Sequence, residues 1–170
     1  MVVRIFESKN MQLPHTQTAL VMIGFLNQQQ IEYLLRSEVV GHLGCSSPDQ
    51  VYVVPITYVF DQNAIYAHTR EGQKVDMMRE NPRVCLEVSN ITSLSHWQSV
   101  IIQGSFIELN GDEAEDALQK IVNRVHPLAN TETMVPRHSL QRPQSTTDQH
   151  VHLVVFKIAI HETTGKFEKP

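Results

Sequence analysis

The chain has 170 residues, 41% of them hydrophobic and 19% charged, with a formal net charge of -4. That length buries a core without disulfides, and the acidic balance excludes general nucleic-acid binding, which needs basic surface against phosphates. The longest apolar run, Ala19 to Leu26, is eight residues, where a spanning helix needs about 20.

The start at Met1 carries neither the basic stretch nor the small-residue cleavage site of a secretory signal. The expectation is a cytoplasmic protein of one domain, residues 1–170, with no membrane partner. Residues 1–27 read as an extended arm without a legible role. Asn27 then stands where a helix cap belongs, before apolar residues at Ile31, Leu34 and Leu35 spaced as a short helix spaces them.

Strand signals follow. Val39 to Cys45 is the first, ended by the turn formers Ser46-Ser47-Pro48-Asp49. Val51 to Phe60 and Ala64 to Thr69 form a hairpin about Asp61-Gln62-Asn63. Gly72 to Arg79 then switches to helix formers and stops at Asn81-Pro82. Arg83 to Val88 and Trp97 to Leu109 are further strands, with Gly104 marking a bulge or bend.

Asn110-Gly111-Asp112 leads into the clearest helix, where Ala114, Ala117, Leu118, Ile121, Val122 and Val125 share one face. Residues 126–149 are polar, with Pro127, Pro136 and Pro143, and read as an irregular loop. Val151 to Ile160 is the last strand. Short strands with few helices and no βαβ alternation point to a mainly β, antiparallel barrel.

Several residues read as structural. Cys45 and Cys85 lie in apolar runs as expected buried thiols, His42 as a hydrogen-bonded core histidine, and Met77 and Met78 as core filling. His150 and His152 could share a strand face, but no third ligand stands at suitable spacing, so no metal is expected.

Two places could carry chemistry. After the third strand, Thr69-Arg70-Glu71-Gly72-Gln73-Lys74 sets a hydroxyl, cations and a tight turn before a helix N-terminus, where free amides and the dipole favour a phosphate monoester. An ordinary surface turn has the same ingredients. Pro55, inside Val53-Val54-Pro55-Ile56-Thr57-Tyr58, cannot donate to a ladder and belongs at an edge or bulge. Such an edge suits the polar rim of a flat heterocycle, and equally an edge guarded against aggregation.

Taken in order, Val53 to Tyr58, Ile65-Tyr66-Ala67-His68-Thr69, Gly72-Gln73-Lys74, Glu80-Asn81-Pro82-Arg83-Val84-Cys85, Trp97-Gln98-Ser99-Val100 with Gly104, and the ending Glu162 to Glu168 resemble the FMN-binding split-barrel family. This family is related to the pyridoxamine 5′-phosphate oxidases, and the branch most like this chain includes the nitroimidazole-resistance proteins. The likeness is strongest over 38–110, resumes at 151–168, and fails over 1–27 and 127–147.

The resemblance implies a split β-barrel of about six strands with Greek-key order and a few short helices. It further implies a homodimer with FMN at the subunit interface. Pro55, Ile56, Thr57 and Tyr58 would line the flavin with backbone groups, His68 and Thr69 would stand beside it, and Lys74 would grip the phosphate. Trp97, Ser99 and Val100 would complete the pocket from the neighbouring subunit or strand.

The stretch Val51 to Phe60 has no Arg or Lys, unlike the family's best-known oxidases, so pyridoxamine-phosphate oxidation itself is not expected. The expected activity is FMN-dependent oxidoreduction, with His68 handling protons and a nicotinamide nucleotide as donor. The rivals are a flavin-binding module without turnover and a barrel that holds haem or a deazaflavin.

Overall fold

A computed structural model describes residues 22–125, 127 and 153–169. Its elements are β1 (Met22–Phe25), α1 (Gln28–Ser37), β2 (Val40–Ser46), β3 (Val51–Asp61), β4 (Ala64–Arg70), α2 (Gln73–Glu80), β5 (Arg83–Ser93), β6 (His96–Leu109), α3 (Gly111–Val125) and β7 (Leu153–Lys169). The sheet runs β1-β7-β4-β3-β2-β5-β6, and β6 then returns to pair with β7. That return closes β2 to β7 into a six-stranded antiparallel barrel. Strands β2, β3 and β4 follow one another and β5 comes back beside β2, which is Greek-key order.

The barrel is split where two ladders are short. β3 pairs with β4 only from Tyr58–Ala67 to Asp61–Ala64, and β2 meets β5 only from His42–Glu87 to Gly44–Cys85. β7 holds the rest together, pairing with β4, β6 and β1 along its length.

Alternation sends Leu43, Ile56, Tyr58, Leu86, Ile102 and Phe156 inward as the core. Met77 and Met78 are buried among them, as their apolar spacing predicts. On α1, Ile31, Leu34 and Leu35 pack against the barrel, and Asn27 forms a capping box with Gln30. α3 lies outside, its Ala117 packed with Leu109 and Val155.

The far end of α1 is closed as tightly. Its last carbonyls would be orphans, but Leu34 accepts from the Glu38 amide and the Ser37 hydroxyl. Leu35 accepts from Tyr58, and Arg36 and Ser37 accept from Arg124 of α3.

Four expectations need correction. The arm over 1–27 is not wholly outside the fold: Met22–Phe25 is a seventh strand on the tail of β7. Its side chains are largely exposed, so no burial alternation announced it; residues 1–21 lie outside the described residues. The last strand does not stop at Ile160 but continues to Lys169, past a bulge at His161 where the register with β6 shifts between Gln103 and Gly104. The bulge is thus opposite Gly104, in the partner strand.

His42 hydrogen-bonds to Glu87 but is exposed, because its position on β2 points outward. Cys85 is only partly buried for the same reason, while Cys45 faces the core. Of the loop 126–149 only residue 127 is described; His150 and His152 also lie outside the described residues. No helix among the described residues is long and apolar enough to cross a membrane.

Candidate functional site

The short β3–β4 ladder creates the site. Beyond Tyr58 and Ala67 the two strands part, while β4 remains fixed on its other side by pairing His68–Val155, Thr69–Val154 and Arg70–Leu153. The Tyr58 amide donates to Val39 on the β2 side. Main-chain direction alternates along a strand, so Val53, Pro55 and Thr57 turn their backbone groups toward the parting. The amide that Pro55 lacks is one that β2 does not need. This is how a proline fits between two neighbours in the strand order.

An open concavity of about 410 Å³ lies in the parting, lined by Tyr52, Thr69, Arg70, Glu71, Gly72, Gln73 and Lys74. Gly72 caps α2 with φ 147°, a conformation that only glycine adopts easily, and a Cβ there would meet nothing within 4 Å. No side chain caps α2, although Asp76 stands in its first turn, so its first amides have no side-chain acceptor. Neither Arg70 nor Lys74 has an ion-pair partner among the described residues. Two cations, open amides and a glycine turn make an anion cradle.

The one acidic side chain in the lining is held by a cation. Arg79, in the last turn of α2, donates through both terminal nitrogens to Glu71 at 2.8 and 2.9 Å. It also donates through Nε and a terminal nitrogen to Glu108 on β6, each at 2.9 Å. These hydrogen bonds, to Glu108 first and Glu71 second, push the guanidinium pKa upward.

The structure brings some of the expected site residues together and separates others. Thr69 and Lys74 line the concavity, and His68 stands next in sequence to Thr69, exposed on β4. Surrounding protein still desolvates its imidazole enough to lower its pKa. Pro55 and Thr57 are on the surface of β3, but the side chains of Ile56 and Tyr58 point into the core. Burial, reinforced by Glu38, raises the Tyr58 pKa well above the ordinary phenol value.

Trp97, Ser99 and Val100 are on β6, across β2 and β5 from the parting, and none lines the concavity of its own chain. Trp97 donates its indole N–H to Glu168 at 2.8 Å. Ser99 donates to Glu87, which also holds His42. Val100 is fully buried and paired with Val88 and Gly165. Sequence reasoning missed Tyr52 and the Arg79 network. The alternation of β3 could have flagged Tyr52, but nothing local joins Arg79 to Glu108.

A family model of the pyridoxamine 5′-phosphate oxidases matches residues 27–167. The chain belongs to that family. Among curated proteins, one from Rhizobium meliloti (strain 1021), itself uncharacterised, is 33% identical over 89 residues, covering 52% of this chain and 59% of that protein. The chain thus spans about three-fifths of that relative's length.

Among solved structures, an FAD-binding protein from Mesorhizobium loti superposes with TM-score 0.67 and 25% identity, over 88% of this chain and 99% of that one. A protein described as a 5-nitroimidazole antibiotic resistance protein, from Bacteroides thetaiotaomicron, gives 0.64 at 18% identity, over 87% and 89%. An FAD and haem binding protein from Mycobacterium smegmatis gives 0.63 at 13%, over 85% and 72%. The last two likenesses speak for the family's split-barrel fold alone.

Proposed function

We propose that this member of the pyridoxamine 5′-phosphate oxidase family binds FMN and acts as an FMN-dependent oxidoreductase on a small acceptor. The observation that carries the reading is the cradle at the parting of β3 and β4. Arg70, Lys74 and the amides at Gly72 suit the doubly charged phosphate that ends a ribityl chain. Family membership and the FAD-binding neighbour from Mesorhizobium loti support flavin as the ligand.

Bound flavin would supply the electron or hydride transfer, and the protein the positioning and electrostatics. The backbone groups of Val53, Pro55 and Thr57 would meet the polar rim of the ring. Pro55 keeps one position on that rim free of a donor. His68, beside Thr69, would hold or pass a proton through an imidazole whose pKa burial lowers.

Within one chain the concavity is open on one side, and this reading closes it with a second copy. The outer face of β2 and β3 exposes Val40, Val51 and Val53, a set of apolar side chains that a subunit contact would cover. Trp97 and Ser99 would then reach the partner's flavin from β6. Val100 serves only to fix them, being buried in its own core.

Purified protein loaded with FMN, then mixed with a reduced nicotinamide nucleotide in a stopped-flow cell, tests the activity. Bleaching of the flavin absorbance, followed by its return on adding an acceptor, is expected. A colourless protein that takes up no FMN would refute the cofactor. A yellow protein that no nicotinamide nucleotide reduces would leave a passive flavin carrier, and a Soret band would point to haem.

A further inference from the structure

We propose that Arg79 is a positioning residue for the phosphate cradle, and that it works by anchoring Glu71 and offsetting its charge. The inference rests on the FMN reading above and adds a residue that never touches the ligand. Glu71 lies in the cradle lining, immediately before Gly72. Left to itself, that carboxylate would stand beside an incoming dianion and oppose Arg70 and Lys74. Arg79 shares its charge between Glu71 and Glu108, so it offsets the Glu71 carboxylate in part and holds it in a fixed place beside the two lining cations.

The geometry explains why an arginine does this. Arg79 is on the last turn of α2, so its side chain reaches back along the helix to the residue before the N-cap. A planar guanidinium can serve two carboxylates at once through separate edges. Here one edge takes both oxygens of Glu71 and the other both oxygens of Glu108. Glu108 belongs to β6, a strand paired along its length with β5 and β7. The turn that carries Gly72 is therefore tied to the rigid wall of the barrel and not merely to its own helix.

Both carboxylates are partly exposed, so this network is a weak source of global stability. Its effect should be local to the cradle and specific for the phosphate. FMN and riboflavin differ only by that phosphate, which makes the ratio of their affinities the informative readout.

The test titrates the full-length protein and its variants with FMN and with riboflavin, following flavin fluorescence. Arg79→Gln should lower the FMN-to-riboflavin affinity ratio by about tenfold, the scale of one lost charge-assisted interaction, with riboflavin affinity nearly unchanged. Adding Glu71→Gln to Arg79→Gln should bring the ratio back to within about threefold of wild type, because the repelling charge is gone.

An unchanged ratio in Arg79→Gln, or equal losses for the two flavins, would overturn the proposal. Should Arg79→Gln not fold, Arg79→Lys carries the comparison, since an ammonium cannot fork to both carboxylates. There a ratio about threefold below wild type is expected, and a wild-type ratio overturns the idea. If the wild-type protein itself binds FMN no better than riboflavin, the phosphate site fails first, and the role of Arg79 falls with it.

Discussion

The hydroxyl of Tyr58 on β3 donates to the carbonyl of Leu35 in the last turn of α1, at 3.0 Å and fully buried. A residue that the family resemblance sets against the flavin thus spends its side chain on closing a helix. Its amide donates to Val39 on the β2 side, so the parting of β3 and β4 is met by the backbone of Thr57 and not by that of Tyr58.

Tyr58→Phe keeps the ring and leaves the Leu35 carbonyl without its buried donor. Stability should fall by about 1–2 kcal/mol, the cost of one buried hydrogen bond with an acceptor left unsatisfied. Urea unfolding would measure it, while FMN affinity should stay within about twofold of wild type.

Gly104→Ala addresses the closure of the barrel. A Cβ at Gly104 would lie 2.5 Å from Ile158 Cγ2 and 2.6 Å from the Ala159 carbonyl oxygen. Ile158 is fully buried, so it has little room to retreat. Overpacking of this kind costs about 1–3 kcal/mol, and a lowered midpoint in thermal unfolding is the expected result.

Much of this architecture was legible in the chain. Pro55 announced the place where β3 lacks a partner, the Thr69 to Lys74 turn named residues that line the concavity, and Asn27 announced the start of α1. What stayed hidden has physical reasons. β1 exposes its side chains and so shows no burial pattern. The polar run after His161 lacks apolar alternation, because in this part of β7 the ladder with β6 and not burial dictates the extended form. Arg79 and Glu108 are separated by 29 positions, and only the folded barrel brings them into contact.

His68 offers a test by pH. Desolvation lowers its pKa from the ordinary 6.5, so over the window between the lowered value and 6.5 the folded state binds fewer protons than the unfolded one. Stability present above 6.5 is then lost as pH falls through that window. Replacing His68 by Gln should flatten this part of the stability profile. The His68 ring resonances should titrate with a midpoint below 6.5 in an NMR series.

The proposed subunit contact has its own test. Val53 is 60% exposed on the outer face of β3. Val53→Asp should leave the monomer folded but place a charge in the proposed contact, shifting the protein to a monomer in sedimentation experiments. FMN affinity should fall with it, because Trp97 and Ser99 would no longer reach the site from the partner. A monomer that retains full affinity would assign the whole pocket to one chain.

Titration of Lys74→Ala with FMN, read by flavin fluorescence beside the wild-type protein, bears most directly on the cradle. Loss of one charge-assisted contact to the phosphate predicts an affinity roughly ten- to a hundredfold weaker. An affinity equal to that of the wild type would contradict the assignment of the β4–α2 turn as the phosphate site.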